Sequence, residues 1–232
     1  MKLSIIIPLY NEEKTIGELI KKIRDVELPL GISKEIIIVD DGSIDTTYKI
    51  LKKYNNDSMV KIYRKEKNTG KASAVKAGIE NSEGDIILIQ DADLEYSPDN
   101  YQALLGPIIK DKACVVYGSR FKGKIKKMAL MNRIANIISN ITLNLLYGAK
   151  ISDVNTGHKI FKREVFDRIQ LMSENFMFET EITAKLLNLG YQIYEVPINY
   201  IARSKKDGKK ITWLKALQMY WGIIKYKFAI TA

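Results

Sequence analysis

Residues 84–98 read Gly84-Asp85-Ile86-Ile87-Leu88-Ile89-Gln90-Asp91-Ala92-Asp93-Leu94-Glu95-Tyr96-Ser97-Pro98, and this stretch decides the fold. A short unbroken aliphatic run that ends in polar residues is the pattern of a strand buried on both faces. The same grammar occurs twice upstream. Lys2–Leu9 runs into Tyr10-Asn11-Glu12, and Glu35–Val39 runs into Asp40-Asp41-Gly42-Ser43. Helical periodicity lies between: Glu12–Val26, with Ile16, Leu19, Ile20 and Ile23 on one face, then Thr46–Tyr54 and Lys71–Asn81. Further strands are predicted at Val60–Tyr63 and Ala113–Gly118, with a helix over Asn100–Ile109 after Pro98. Strands alternating with helices predict an α/β fold: a mostly parallel central sheet with helices on both faces. In such sheets the ligand sits beyond the carboxyl ends of the strands. All three polar clusters fall there. Turn formation or helix capping explains any one of them, but explains the three together poorly.

The second half is less regular. Met128–Leu146 is a helix with Ile134, Ile137, Ile138, Ile141 and Leu145 apolar and asparagines between. Lys159–Phe161 and Tyr191–Ile198 are strands flanking a helix at Glu179–Leu189, and Ile211–Phe228 is a final helix. There is no internal repeat and no low-complexity linker.

Composition excludes several classes. Of 232 residues, 46% are hydrophobic and 28% charged, too apolar for a disordered chain. Fourteen glycines and five prolines are too few for a fibrous one. A lone Cys114, assigned to buried core, forms no internal disulfide, and the single His158, assigned a packing or loop role, leaves no Cys/His zinc set. Cysteine usage makes the cytoplasm the default compartment. The N-terminal apolar run ends at Leu9, which fits a strand rather than a signal peptide. No run of about 18 apolar residues exists, so no spanning segment is expected. The formal charge of +10 is local: 120–152 and 203–232 together carry +14, leaving −4 elsewhere. That polarity favours an anionic partner meeting one face, with solvated lysines as the plainer reading.

Asp91 and Asp93 are the sharpest feature. Two carboxylates one residue apart at the end of a buried strand repel unless a cation lies close. Oxygen ligands, with Glu95 adding a third, suit Mg²⁺ or Mn²⁺, ions that keep waters and share substrate phosphates.

The strings 5–13 (IIIPLYNEE), 36–47 (IIIVDDGSIDTT), 68–78 (NTGKASAVKAG), 84–98 and 117–121 (YGSRF) resemble a family 2 glycosyltransferase of the GT-A fold. The likeness covers essentially the whole chain. Within the family it is similar to the polyprenyl-phosphate sugar transferases, the dolichyl-phosphate mannose synthases above all, through 91–98 (DADLEYSP), 152–166 (SDVNTGHKIFKREVF) and 202–211 (ARSKKDGKKI). The resemblance implies a single GT-A catalytic domain over 1–232, with 1–120 binding the nucleotide sugar and 121–232 the acceptor. It implies that Pro8, Tyr10, Glu12, Val39 and Asp41 contact base and ribose, and that Asp91 and Ala92 contact the nucleotide sugar. Asp93 is then the metal carboxylate, and Glu95 stands where a glutamine usually completes the metal shell. Arg120 and Arg133 match the arginines that hold an acceptor phosphate, with surface ion pairing as their plainer reading. Arg203 with Lys210 (or Lys209) matches the pair that neutralises the leaving diphosphate. The implied activity is metal-dependent, inverting transfer of a hexose from a nucleotide-diphosphate sugar, GDP-mannose first and UDP-glucose next, to a polyprenyl phosphate at the cytoplasmic face of a membrane. A membrane-anchoring partner protein stands open.

Elementary chemistry agrees. A leaving diphosphate gains charge that a divalent ion and Arg or Lys offset. A phosphate monoester is already largely dianionic near neutrality, with a second pKa of about 6, so it needs cations rather than a base. A hydroxyl acceptor would need a base, for which Glu179 or Glu181 is the candidate, while Asp153 serves to orient its loop. Nucleic-acid binding does not explain the carboxylate clusters. A sugar-phosphate nucleotidyltransferase would open with a glycine-rich loop, not Pro8-Leu9-Tyr10-Asn11. A catalytically silent scaffold of the same fold would not need Asp91, Asp93, Arg120 and Arg203 intact.

Overall fold

Three aliphatic strands lie side by side at the centre: β1 (Lys2–Leu9), β2 (Ser33–Asp40) and β4 (Ile86–Ile89) pair in parallel, with Ile5 opposite both Ile36 and Leu88. The computed structural model describes residues 1–169, 171, 177–203 and 213–228, without the side chains of 213–219. With β3 (Val60–Arg64), β5 (Val115–Lys126), β6 (Lys159–Lys162) and β7 (Ile193–Ile201), the strands form one sheet of order β3-β2-β1-β4-β6-β5-β7. Only β6 runs against its neighbours, so the expected mostly parallel sheet is found with one reversed strand.

Alternate residues of each strand serve opposite faces. Leu3, Ile5 and Ile7 pack with helix α1 (Ile16–Asp25) and helix α4 (Tyr101–Ile109). Ile6, Ile37 and Ile87 face the other way, toward Ile79 of α3 (Lys71–Glu80). Farther along that face, α3 and α6 (Phe178–Asn188) share a core through Val75, Phe161 and Ile182. Helices α2 (Thr47–Leu51), α5 (Leu130–Tyr147) and α7 (Trp213–Phe228) complete the chain, α7 meeting α5 where the Tyr147 hydroxyl donates to Ile223 O at 2.9 Å.

Several boundaries differ from the sequence expectation for identifiable reasons. Helix α1 begins at Ile16 because Glu12 O accepts from Thr15 N and Ile16 N, which makes 12–15 a turn. The helix from Thr47 tightens into a 3-10 turn after Leu51. β5 runs on to Lys126 because β7 pairs with it on both sides of a register break between Ser119 and Lys124. Cys114 precedes β5 and is half-buried, not core, with Sγ 3.7 Å from Glu164.

Helix α5 is turned opposite to its amphipathic pattern. Asn136, Asn140 and Asn144 recur every fourth residue on one face. That face clamps backbone: Asn140 Oδ1 accepts from Val154 N at 3.0 Å, and Asn144 exchanges bonds with Ile151 N and O at 2.9 and 2.8 Å. Most of the apolar residues are left outward, with Met131 74% and Leu145 80% exposed, while Leu143 turns inward to Ile151, Val154 and Ile223.

Helix α3 reaches the sheet through a glycine. A Cβ on Gly78 would lie 2.4 Å from Ile6 Cγ2. Gly78→Ala therefore separates helix from sheet, and chemical denaturation is expected to show a loss of about 1–3 kcal/mol, the scale of an overpacked core. A stability equal to that of the unaltered chain would mean the helix can shift without cost.

Candidate functional site

The carboxyl ends of β1, β2 and β4 open on one edge, and the chain makes tight turns there. Asn11 and Leu94 carry φ of 53° and 61°, the left-handed region, each just beyond a strand. Such backbone is sustained only where its surroundings hold it. Asn11 Oδ1 accepts from Ile44 N at 2.9 Å, which joins the β1 and β2 ends. Leu94 is held because β7 pairs with the turn after β4: Ile201 N donates to Glu95 O at 3.1 Å and Tyr96 bridges Tyr200.

The two aspartates are separated by their partners. Asp91 Oδ1 lies 2.6 Å from Lys71 Nζ, which also lies 2.6 Å from Glu179 Oε1. Burial works to raise the Asp91 pKa, but Lys71 overrides it and holds the group below the usual range. Asp93 Oδ2 meets Arg203 Nη2 at 2.8 Å, and Arg203 Nη1 meets Glu12 Oε2 at 3.1 Å. Burial, Asp91 and Glu95 together still push Asp93 up to about 7. The repulsion read from the sequence is thus relieved in part by Lys71 and Arg203. Lys71 is a site residue that sequence reasoning passed over. It stands at the start of α3 behind Thr69-Gly70, whose N–H groups, at 3.1 and 2.7 Å, donate to Asp41. Asp41 is therefore engaged in holding this turn.

Among the described residues no three His, Cys, Asp or Glu side chains converge as a metal cage. Asp93 and Glu95 nonetheless fit an ion of the Mg²⁺ or Mn²⁺ type. They are oxygen donors, Asp93 stays under-compensated beside Arg203, and such ions take one or two carboxylates with substrate phosphates. Glu95 is held at both oxygens: Oε1 accepts from Arg203 N at 2.7 Å and Oε2 from the Tyr200 hydroxyl. Pro8, Val39 and Ala92 are buried along the same strand ends, and Tyr10 is half-buried there. Lys209 and Lys210 lie outside the described residues.

Arg120 is buried, and its fork is taken by Asp153, with Nε to Oδ2 at 2.8 Å and Nη2 to Oδ1 at 2.7 Å. Asp153 thus holds an arginine as well as a loop. Nη2 also reaches Asn136 Oδ1 of α5 at 3.3 Å, and Arg133 stands exposed one turn earlier on that helix. Glu195 secures the loop, accepting from Ser152 N at 2.9 Å and Asp153 N at 3.0 Å. Glu181 is buried 2.8 Å from Lys185, and Glu179 is tied to Lys71. His158 is fully buried and bonded through Nε2 to Gln90 Oε1 at 2.8 Å, and burial lowers it to about 3, so it stays neutral. A Cβ on Gly157 would meet Asp91 Oδ2 at 2.1 Å, so this loop packs directly on the carboxylate.

Residues 4–170 match the family model described as Glycosyl transferase family 2. The chain is 31% identical over 215 residues to a dolichol-phosphate mannosyltransferase of Pyrococcus furiosus, covering 90% of this chain and 59% of that protein. It is 31% identical over 244 residues to a dolichyl-phosphate beta-glucosyltransferase of Dictyostelium discoideum, covering 97% of this chain and 74% of that protein. The chain therefore spans about three fifths of the length of the Pyrococcus relative. A crystal structure of glucosyl-3-phosphoglycerate synthase from Mycobacterium tuberculosis, with Mn²⁺, UDP and phosphoglyceric acid, shares the fold. Its TM-score is 0.75 at 19% identity, over 98% of this chain and 78% of that one.

Lys159 anchors the loop from beneath, donating from Nζ to Val154 O at 3.1 Å and to Thr156 O. Burial lowers it from 10.5 to about 7. A base whose pKa is depressed on folding binds its proton better when unfolded, so stability rises with pH between those two values. Denaturation from pH 7 to 10 is expected to show that rise, and Lys159→Met is expected to flatten it. An equal slope in both proteins would show that Lys159 keeps its proton in the fold.

Proposed function

Because the chain belongs to glycosyl transferase family 2, we propose that it transfers a hexose from a nucleotide-diphosphate sugar to a polyprenyl phosphate, with inversion and with a divalent ion. The observation that carries this is the carboxylate pair at the strand ends split between two cations: Asp91 on Lys71, Asp93 on Arg203. Residues 1–120 serve the donor and 121–232 the acceptor within one catalytic domain, both built on a shared sheet. Pro8, Tyr10, Glu12, Val39 and Asp41 line the donor's base and ribose, and Asp91 and Ala92 its diphosphate sugar.

Asp93 and Glu95 would hold Mg²⁺ or Mn²⁺, which when bound offsets the charge gathering on the leaving diphosphate. Arg203 adds a second cation at that point, and Lys210 is assigned the same role. Arg120 and Arg133 position the acceptor phosphate. Support comes from Arg120 reaching Asn136 on α5, the helix that carries Arg133, and from the cationic stretch 120–152. A phosphate dianion attacks without losing a proton, so no base is needed. In agreement, Glu181 is sealed and Glu179 is bound to a lysine, which disfavours a hydroxyl acceptor. GDP-mannose is the favoured donor on the likeness to the Pyrococcus mannosyltransferase. UDP-glucose is the second reading, on equal identity to the Dictyostelium glucosyltransferase.

The outward apolar face of α5 fits a lipid surface. Leu130, Met131, Ile138, Ile141 and Leu145 are exposed there, with Trp221 and Phe228 exposed on α7, while Lys122, Lys124 and Lys126 line the end of β5. Apolar side chains bordered by lysines make an interfacial surface, and each lysine near anionic lipid adds about 1 kcal/mol. No described helix is long and apolar enough to cross a membrane.

A panel of labelled nucleotide sugars assayed against short polyprenyl phosphates tests the activity. Asp93→Ala is expected to cost roughly tenfold to thousandfold, the scale of a lost electrostatic stabiliser. Arg133→Lys keeps the charge but loses an exposed fork, Arg120→Lys keeps the charge but loses the fork that grips Asp153, and each is expected to raise acceptor KM more than donor KM. Full activity of Asp93→Ala in chelator would sink the metal assignment, and preference for a free sugar would sink the acceptor. Flotation with anionic liposomes tests docking. Binding is expected to weaken with salt and to drop in Ile138→Ser/Ile141→Ser, and equal recovery of the two proteins would leave a partner protein as the tether.

A further inference from the structure

Between the acceptor-side arginine and the cation-side carboxylate stands a residue that neither assignment uses. Tyr200, next to last on β7, is buried, with 3% of its surface exposed. The Arg120 guanidinium lies 5.1 Å over the centre of its ring. Its hydroxyl donates to Glu95 Oε2. The ring is braced by Tyr96, 5.0 Å away and tilted, and the Tyr96 hydroxyl accepts from Gly157 N at 2.9 Å.

We propose that Tyr200 is a positioning residue that couples the two halves of the site, its ring carrying Arg120 and its hydroxyl setting the Glu95 carboxylate. The reasoning is geometric. Arg120 gives its fork to Asp153 and reaches Asn136 Oδ1 with Nη2, and the face of its guanidinium lies over the Tyr200 ring. Glu95 accepts one bond at each oxygen, from Arg203 N and from Tyr200, which fixes the plane of the carboxylate and leaves a lone pair on each oxygen. Backbone pairing keeps the link short, since Tyr200 bridges Tyr96 directly. A displacement of Arg120 is therefore passed to Glu95 through one rigid ring. The inference rests on the reading of Arg120 as an acceptor residue and Glu95 as a cation residue.

The two links can be cut separately. Tyr200→Phe keeps the ring and removes the hydroxyl. Tyr200→Leu removes both. The probes are Mn²⁺ alone, followed by its paramagnetic resonance signal, and a short-chain polyprenyl monophosphate, followed by calorimetry, with Arg120→Lys measured alongside and thermal melting confirming each fold. Tyr200→Phe is expected to weaken Mn²⁺ about tenfold to hundredfold, the scale of a lost outer hydrogen bond to a metal ligand, with acceptor binding within about twofold. Tyr200→Leu is expected to weaken both, the acceptor by roughly threefold or more, the scale of a lost cation–π contact. Unchanged Mn²⁺ binding in Tyr200→Phe, or an equal loss of both ligands in that variant, overturns the proposal. Unchanged acceptor binding in Tyr200→Leu overturns it too, provided Arg120→Lys binds the acceptor weakly. If Arg120→Lys binds the acceptor normally, or the unaltered chain binds no Mn²⁺, the underlying assignment falls instead.

Discussion

Two carboxylates projecting from the end of one buried strand cannot both keep their charge without close cations, and the rest of the site answers that requirement. Asp91 and Asp93 are a single residue apart after β4. Lys71 comes to the first from α3, and Arg203 to the second from just beyond β7. The compensation is unequal. Asp91 is held ionised by a lysine that burial alone would have discharged, whereas Asp93 is pushed up to about 7 despite its arginine. Charge at this strand end is thus compensated more fully at Asp91 than at Asp93.

Elements far apart in the chain are drawn in by the same need. Lys71 reaches Asp91 only because Asp41 fixes the turn before α3, with Thr69 and Gly70 donating to its carboxylate. Gly157 lets the loop after Asp153 lie against Asp91 where any Cβ would collide. That loop is held on three sides: by Glu195 of β7, by Asn140 and Asn144 of α5, and by Lys159 beneath. A buried carboxylate, two amides and a lysine amino group satisfying backbone groups make the loop costly to move, because each group removed leaves another unpaired. Arg120 inherits that rigidity through Asp153.

The asparagine face explains why α5 presents its isoleucines outward. A helix of this composition would ordinarily turn the apolar stripe to the core. Here the core side is backbone from 151 to 155, which needs hydrogen-bonding partners, and asparagine supplies both donor and acceptor. The apolar stripe is displaced to the surface. The clamp and the exposed surface are thus one arrangement seen from its two sides.

The sheet and the line of its carboxyl ends were legible from the sequence, because buried parallel strands must be continuous aliphatic runs and the loops after them must carry whatever binds. Asp91, Asp93, Arg120 and Arg203 stood out through charge at those positions and through motif likeness. Lys71 and Tyr200 did not. A lysine at a helix start and a tyrosine near a strand end are ordinary in local context, and their meaning arises from partners twenty and eighty residues away in the chain. The same holds for the facing of α5: periodicity states that one stripe is apolar and another amide-rich, but not which stripe meets the protein. Sequence therefore determined which residues carry charge at the strand ends. Only the tertiary structure decided which cation neutralises which carboxylate, because pairing depends on distances set by packing across the sheet and not on order along the chain.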